Sequence, residues 1–474
     1  MVDDFTVDRR TVLKLTGAAS LVPLAGRAQA GTLTSLVDET LDTASDALQE
    51  ALVVFESSDD VSLLDSLDLV DGYYEFSVLP VGFTRLTGTQ IEAVADWDEV
   101  RYVEANRDLE LFNDDGRELT RAAAVQEQLN YAGENAHVVV IDSGIDGDHP
   151  DLAANLDANY QWAGDPLELT GTETLWPEVG GLDTDEIGHG THCSGTVAGD
   201  GSASDGQYRG MAPEATLTSY STSAGISVLK AAAAFDHMLE NGDGSTYQVV
   251  SNSYGVSSTD DFDPDATLNV ASWYAYQADI LPVFAASNDG PDYDTLNDYA
   301  KAPHVLGVAA TNDQKEITDF SSRGRNDGSN YDRATALSNL ETYYETGEVA
   351  GPLGVYRPGV AAPGNAIVST MSPDDPLGAT TVDDGELYYA SISGTSMACP
   401  HVSGIAALCV DAHVAAQGSR PTARELLATL EAEAEDARSS YEPASAGAGF
   451  VDAYDAVERA EAGDFATFDE TTLV

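Results

Sequence analysis

Four runs, "AHVVVIDSG", "YQVVSNSYG", "ILPVFAASNDG" and "HVLGVAAT", stay apolar residue after residue and then break into small polar residues. A strand that is apolar on both faces belongs inside a parallel sheet with helices covering either side. Helical stretches such as "ISVLKAAAAFDHMLEN" lie between these runs. The pattern predicts an α/β fold, a doubly wound parallel sheet, whose functional residues gather beyond the carboxyl ends of the strands.

Upstream of this pattern the chain reads differently. "ALVVFE", "YYEFSVLP" and "EVRYVEANRDLELF" are expected as strands, with helical spacing in "TQIEAVADW", which makes a separate small α+β unit over about 51–112. Residues 31–50 read as an acidic, helix-prone lead-in. "FNDDGREL" after the unit is polar and turn-forming, as a linker is.

The charge is far from balanced, with 81 acidic residues against 21 basic ones and a formal net charge of -60. That excludes nucleic acid as a partner. Disorder is excluded as well, because 21 tyrosines and long apolar runs supply core material that disordered chains lack. Salt adaptation is the expected explanation: at 1 M salt a Debye length of about 3 Å screens the repulsion that opposes compaction. Three cysteines, Cys193, Cys399 and Cys409, rule out a disulfide framework. Cys399 and Cys409 on one helix would stand about 15 Å apart, too far to bridge, so only Cys193 with Cys399 stays open as a pair.

"DRRTVLKLTGAASLVPLAGRAQA" reads as an export signal, with Arg9 and Arg10 before a short apolar run and Ala28 and Ala30 framing a cut before Gly31. The twin arginines point to the pathway that exports folded proteins, and so to a secreted, extracellular product. The apolar stretch is too short to span a bilayer, and no later segment reads as long enough, so stable membrane insertion is not expected.

A serine hydroxyl becomes a nucleophile only when a histidine takes its proton and a carboxylate fixes that imidazole. Asp142 ends "VVVIDSG", His189 stands in "DEIGHGTHCSGTVAG", and Ser396 precedes the apolar helix "MACPHVSGIAALCV", whose first turn points N–H groups toward an oxyanion. His189 and His192 without an acidic third ligand make a weak zinc signal. The order Asp, His, Ser excludes the α/β-hydrolase esterases, in which acid and histidine follow the serine.

The stretches "VVVIDSGIDGDHPDL", "GHGTHCSGTVAG" and "SGTSMACPHVSG" closely resemble the three signatures of subtilisin-like serine proteases, the subtilases. The resemblance runs over roughly residues 120–460 and implies a serine endopeptidase that needs no cofactor for catalysis and acts on polypeptides. It makes Asp142 the orienting carboxylate, His189 the general base and acid, Ser396 the nucleophile and His192 a structural histidine. "VFAASNDG" is similar to the segment that completes the oxyanion hole, which makes Asn288 the donor there, with Ser287 in place of the usual glycine. "VVSNSYG" resembles the strand that pairs with the substrate's extended backbone and lines the pocket for the side chain before the cleaved bond, through Ser253, Tyr254 and Gly255. Asp298, in "NDYAKAPHV", would lie on the floor of the specificity pocket and favour Arg or Lys. Asp151, with Asp200 and Asp205 near it, matches a structural calcium position.

By the same resemblance the chain divides into a signal peptide 1–30, a ferredoxin-like pro-domain 31–115, a catalytic domain 116–462 and a tail 463–474. The pro-domain would be an intramolecular inhibitor, cut by the enzyme itself between about 112 and 120. The whole is similar to the secreted halolysins of extreme halophiles. A catalytically silent binding or chaperone-like relative is the alternative. Residues 325–356 are longer than the family's usual connection there, and the sequence assigns them no role.

Overall fold

The computed structural model describes residues 36–38, 40–106, 116–167, 174–328, 330–378 and 387–474, together with the backbone of 108–111. The expected signal peptide and residues 112–115 of the expected cleavage span lie outside the described residues.

The N-terminal unit is built from β1 (Gln49–Phe55), β2 (Tyr73–Glu75), β3 (Val81–Leu86), α1 (Gly88–Ala95) and β4 (Val100–Ala105). A 3-10 helix, Ser58–Ser66, joins β1 to β2. The strand order is β2-β3-β1-β4, with β1 antiparallel to both of its neighbours. This is the split β-α-β arrangement of the ferredoxin-like expectation. Thr87 and Gln90 form a reciprocal capping box that starts α1 where the pattern predicts it. The helical lead-in is not formed in its described part. The Ala44 N–H binds Asp42 Oδ1 and the Ala47 N–H binds Ser45 Oγ, local turns that compete with helix.

Beyond β5 (Asp108–Leu111) the chain enters the main α/β body through β6 (His137–Asp142), β7 (Leu156–Gln161), α2 (His189–Ala198), β8 (Thr216–Ser221), β9 (Ile226–Ser227) and α3 (Val228–Asn241). It continues with β10 (Val249–Asn252), β11 (Tyr254–Gly255), α4 (Thr267–Gln277), β12 (Leu281–Ala285), β13 (Leu306–Thr311), α5 (Arg333–Thr346) and β14 (Val360–Pro363). The hairpin β15 (Ile367–Thr370) and β16 (Tyr389–Ile392) precedes α6 (Thr395–Gln417). Among the described residues the main sheet has seven strands in the order β14-β13-β12-β10-β6-β8-β7, all parallel.

The four apolar runs are β6, β10, β12 and β13, and nearly every residue in them is buried. The edge strand β7 is only partly covered. α6 is 23 residues of mostly small apolar side chains, 94% buried over its most apolar window. By length and composition it could cross a membrane, which corrects the expectation that no later segment is long enough. Here it is the core helix, packed against β10, β12, β13 and β14.

The segment 325–356 contributes α5. The start of α5 and the residue just after the segment share one buried carboxylate: Glu431 pairs with Arg333 at 2.9 Å and with Arg357 at 2.7 Å. The C-terminal residues after 462 also dock on the body, through the Ala466 N–H to Thr429 Oγ1 and Phe465 beside His413.

Candidate active site

Strand order reverses around β6, which has β8 on one side and β10 on the other, so Asp142 ends its strand at the switch point where a crevice opens. α2 begins at His189 and lies tightly on this edge. A Cβ on Gly190 would stand 2.1 Å from the Gly144 carbonyl oxygen, a contact only glycine permits. His189 Nδ1 and Asp142 Oδ1 are 2.5 Å apart, and both side chains are buried. The same oxygen accepts the Ser143 N–H at 2.7 Å. A carboxylate on Nδ1 holds the proton there and leaves Nε2 as the basic nitrogen.

Ser396 stands in the first turn of α6, and Pro400 stands four residues on. Proline has no N–H, so the Ser396 carbonyl loses its helical donor. Ser253 Oγ replaces it at 2.8 Å, and Cys193 Sγ lies 3.7 Å away. Ser396 Oγ in turn donates to the Ser253 carbonyl at 2.8 Å, so the two serines are cross-linked through their backbones. Asn288 Oδ1 accepts the Thr395 N–H at 2.9 Å, a bond that leaves its amide nitrogen uncommitted. Ser287 takes a left-handed φ of 84° and its Oγ lies 2.7 Å from Ser257 Oγ, so its Cβ does not displace the Asn288 anchor.

The other histidines and cysteines near Ser396 are structural in geometry. His192 Nε2 reaches the carbonyls of Ile367 and Ala390 at 3.2 and 3.1 Å, and burial lowers its pKa to about 3. His401 Nδ1 is held by the Met397 carbonyl one turn back, and burial lowers its pKa to about 4. Burial, with the charge of Asp142 added, raises the Cys193 thiol well above its ordinary value, so it stays neutral. Among the described residues there is no disulfide, and the Cys193–Cys399 pair left open is not made.

The N-terminal unit sends β5 into the crevice. β5 runs antiparallel to β11, with Leu111 opposite Tyr254 and Glu110 opposite Gly255. On its other edge Asp108 faces Ser227 and Leu109 faces Ile226, both in β9. β9 was missed in the sequence because Ile226 and Ser227 read as the start of the following helix. Ser227 Oγ caps that helix at the Lys230 N–H, which ends the strand after two residues.

Three expectations need correction. Tyr254 turns into the core, fully buried, with its hydroxyl donating to Asn252 Oδ1 at 2.7 Å, so only its backbone faces the crevice. The Asp298 carboxylate already carries a cation of the chain itself: Lys301 Nζ lies 2.8 Å and Ser258 Oγ 2.6 Å from its Oδ1, so a basic side chain of substrate would have to compete with Lys301. Lys301 is itself buried and also donates to the carbonyls of Ser258 and Asp260, which fixes the pair in place. The Asp151 carboxylate does not fit calcium. Oδ1 accepts the Ala203 N–H at 2.7 Å and Oδ2 the Tyr389 hydroxyl at 2.6 Å, while Asp200 Oδ1 is taken by the Ser202 N–H. Among the described residues, the His, Cys and carboxylate atoms that cluster tightly enough for an ion are those of Asp142, His189 and Cys193.

A doubly wound parallel sheet with an Asp–His pair at its switch point, and a serine opening the core helix, defines a class of α/β proteins with the chain order Asp, His, Ser. The Subtilase family profile (Peptidase_S8) matches residues 133–449, and the chain belongs to that family. It is 27% identical to the serine protease AprX of Bacillus subtilis (strain 168) over 347 residues, 66% of each chain. It is 31% identical to a subtilisin of Bacillus sp. (strain TA39) over 285 residues, 58% of this chain and 56% of that protein. The chain thus spans from about half to just under two thirds of the curated relatives first matched. Among solved structures, fervidolysin from Fervidobacterium pennivorans is similar in fold, with a TM-score of 0.61 at 22% identity over 90% of this chain and 64% of that one.

Proposed function

We propose that this protein is a serine endopeptidase that hydrolyses peptide bonds through an acyl-enzyme. One observation carries this reading: the buried His189–Asp142 pair stands at the sheet's switch point, and Cys193 Sγ lies 3.7 Å both from His189 Nδ1 and from the carbonyl of Ser396, whose helix is anchored by Asn288. In the proposed reaction Ser396 Oγ turns from the Ser253 carbonyl to His189 Nε2, gives up its proton and attacks the substrate carbonyl. The developing oxyanion is met by the Asn288 amide and the Ser396 N–H at the helix N-terminus. His189 then protonates the leaving amine, and water repeats the cycle on the acyl-enzyme. Asp142 keeps the imidazole oriented and balances its charge in both steps.

The N-terminal unit acts as a pro-domain in this reading, and residues 108–111 stand in for substrate between β11 and β9. Its contacts to the body support that role. Glu104 caps α4 at the Thr267 N–H, Asn106 Oδ1 accepts the Leu229 N–H of α3, and Asp236 of α3 accepts the N–H groups of Ser77, Val78 and Leu79. Export by the twin-arginine route, self-cleavage between about 112 and 120, and salt adaptation of the halolysin kind complete the proposal. The net charge of -60 supports the last of these, since so many carboxylates repel one another in dilute buffer.

The test is expression in molar salt, with peptidase activity and reaction with a serine-directed phosphonyl reagent compared between wild type and Ser396→Ala. Wild type should cleave peptide, take up the reagent and mature; Ser396→Ala should do none of these and accumulate uncut. Equal labelling of both proteins would sink the assignment. Dialysis to low salt should abolish activity and far-UV structure, and retained structure would reject salt adaptation.

A further inference from the structure

Among the described residues, the insertion 325–356 meets the N-terminal unit at Arg101. Arg101 of β4 forms an ion pair with Asp265, just ahead of α4, and both side chains are nearly covered, at 10% and 13% exposure. Two consecutive tyrosines of α5 complete the surroundings. The guanidinium carbon lies 4.9 Å from the Tyr344 ring centroid and 5.8 Å from that of Tyr343. The Tyr343 hydroxyl donates to the second Asp265 oxygen at 2.6 Å, and the Tyr344 hydroxyl donates to the Pro264 carbonyl. Tyr344 also stacks on Trp273 of α4, with centroids 4.9 Å apart and planes at 20°.

These groups have the chemistry of a guanidinium cage. A carboxylate with one oxygen held by a phenol offers the other to the cation, and two ring faces supply cation–π attraction around it. A lysine would meet the charge but not the planar stacking. In a chain with only 21 basic residues, one arginine is seated in a nearly dry, purpose-shaped site at the boundary between the two units.

We propose that the insertion is a clasp for the pro-domain: α5 presents Tyr343 and Tyr344 so that, with Asp265, they retain Arg101 after the chain is cut. The clasp sets how long inhibition outlasts cleavage. This rests on the reading of the N-terminal unit as a self-cleaved pro-domain. The cage is far from Ser396 in sequence, and its substitution alters release without altering the catalytic groups. Loss of one partner of a desolvated charge pair acts mainly on dissociation, so Arg101→Met should speed release of the cut pro-domain by about tenfold or more.

Arg101 departs with the pro-domain, so the mature protease made from Arg101→Met or Arg101→Lys is identical to wild type. Full chains of wild type, both Arg101 variants, Tyr344→Leu and the Arg101→Met/Tyr344→Leu double variant are matured in high salt. Chain cleavage is followed on gels, and free peptidase activity is followed against time. The expected result is unchanged cleavage, a lag shortened by about tenfold in Arg101→Met and partly in Arg101→Lys, and a double variant no faster than Arg101→Met. Equal lags in wild type and Arg101→Met, or additive effects in the double variant, would overturn the clasp. If wild type is never cut, the self-cleavage reading fails instead. The contact is then read in the uncut chain by hydrogen exchange of residues 333–346, which Arg101→Met must accelerate; unchanged exchange there rejects it.

Discussion

Ser253 Oγ lies 2.8 Å from the Ser396 carbonyl oxygen, the group that Pro400 leaves without a helical donor. A proline in the second turn of the core helix thereby ties the proposed nucleophile to the residue that joins β10 to β11. Ser253→Ala should destabilise the fold by about 1–3 kcal/mol, the cost of a buried carbonyl with a lost partner. Turnover should fall by about 10- to 100-fold as Ser396 shifts. Adding Pro400→Ala to that variant restores an N–H four residues from Ser396 and should recover most of the stability. Urea melts in high salt, with kcat measured alongside, test both halves.

Asn288 is anchored through Oδ1 at the Thr395 N–H, which leaves its amide to meet an oxyanion. Asn288→Ala should lower kcat by about 10²- to 10³-fold with KM little changed, because the bond forms only as charge develops. A rise in KM with kcat preserved would assign Asn288 to ground-state binding instead.

The buried triad Arg333–Glu431–Arg357 ties the start of α5 to the residue that follows the insertion. Glu431→Ala leaves two guanidinium groups facing each other without an anion and should cost about 3–5 kcal/mol. Buried ions are screened far less than exposed ones, so the loss should persist in molar salt. Thermal melts at two salt concentrations measure it, and equal melting of variant and wild type would contradict the triad's structural weight.

Near the His189 loop, Asp146 is raised to about 7 by burial, a hydrogen bond with Asp148 and the charge of Asp183. Asp375 is raised to about 8 by burial and by the charges of Asp185, Asp183 and Asp146. Each holds its proton more tightly folded than unfolded, where a carboxyl titrates near about 4. Their stabilising contribution is complete below that value and is lost as pH rises toward 8, so they make the fold weaker at pH 9 than at pH 6. Asp375→Asn should raise the melting temperature at pH 9 and flatten its dependence over this interval. A variant that melts lower than wild type at pH 9 would count against the buried-acid assignment.

The sheet and the placing of Asp142, His189 and Ser396 were legible because continuous apolar runs and small-residue helices are local signals. What the sequence concealed depends on partners far apart or on a side chain's direction. Glu431 is 98 residues from Arg333 and 74 from Arg357, and nothing in either neighbourhood announces the other. Tyr254 reads as pocket-lining until its hydroxyl is seen on Asn252, because a two-residue strand has no alternation from which to assign a face. Asp298 and Lys301 were both visible, but a 3-10 turn over Asp298–Lys301 is what brings cation onto carboxylate. Asp151 was assigned from its motif, whereas its role follows from Tyr389, 238 residues away.

The slot between β11 and β9 is filled by a single strand bonded along both of its edges. A polypeptide entering such a slot must present bare backbone on two sides at once, so a helix or a strand still paired within its own sheet is refused. For the proposed peptidase, the first question put to a protein is therefore how readily a short stretch of it comes undone. Two proteins with identical cleavable sequences would be destroyed at rates set by their local opening equilibria, and a well-folded neighbour beside them would be spared.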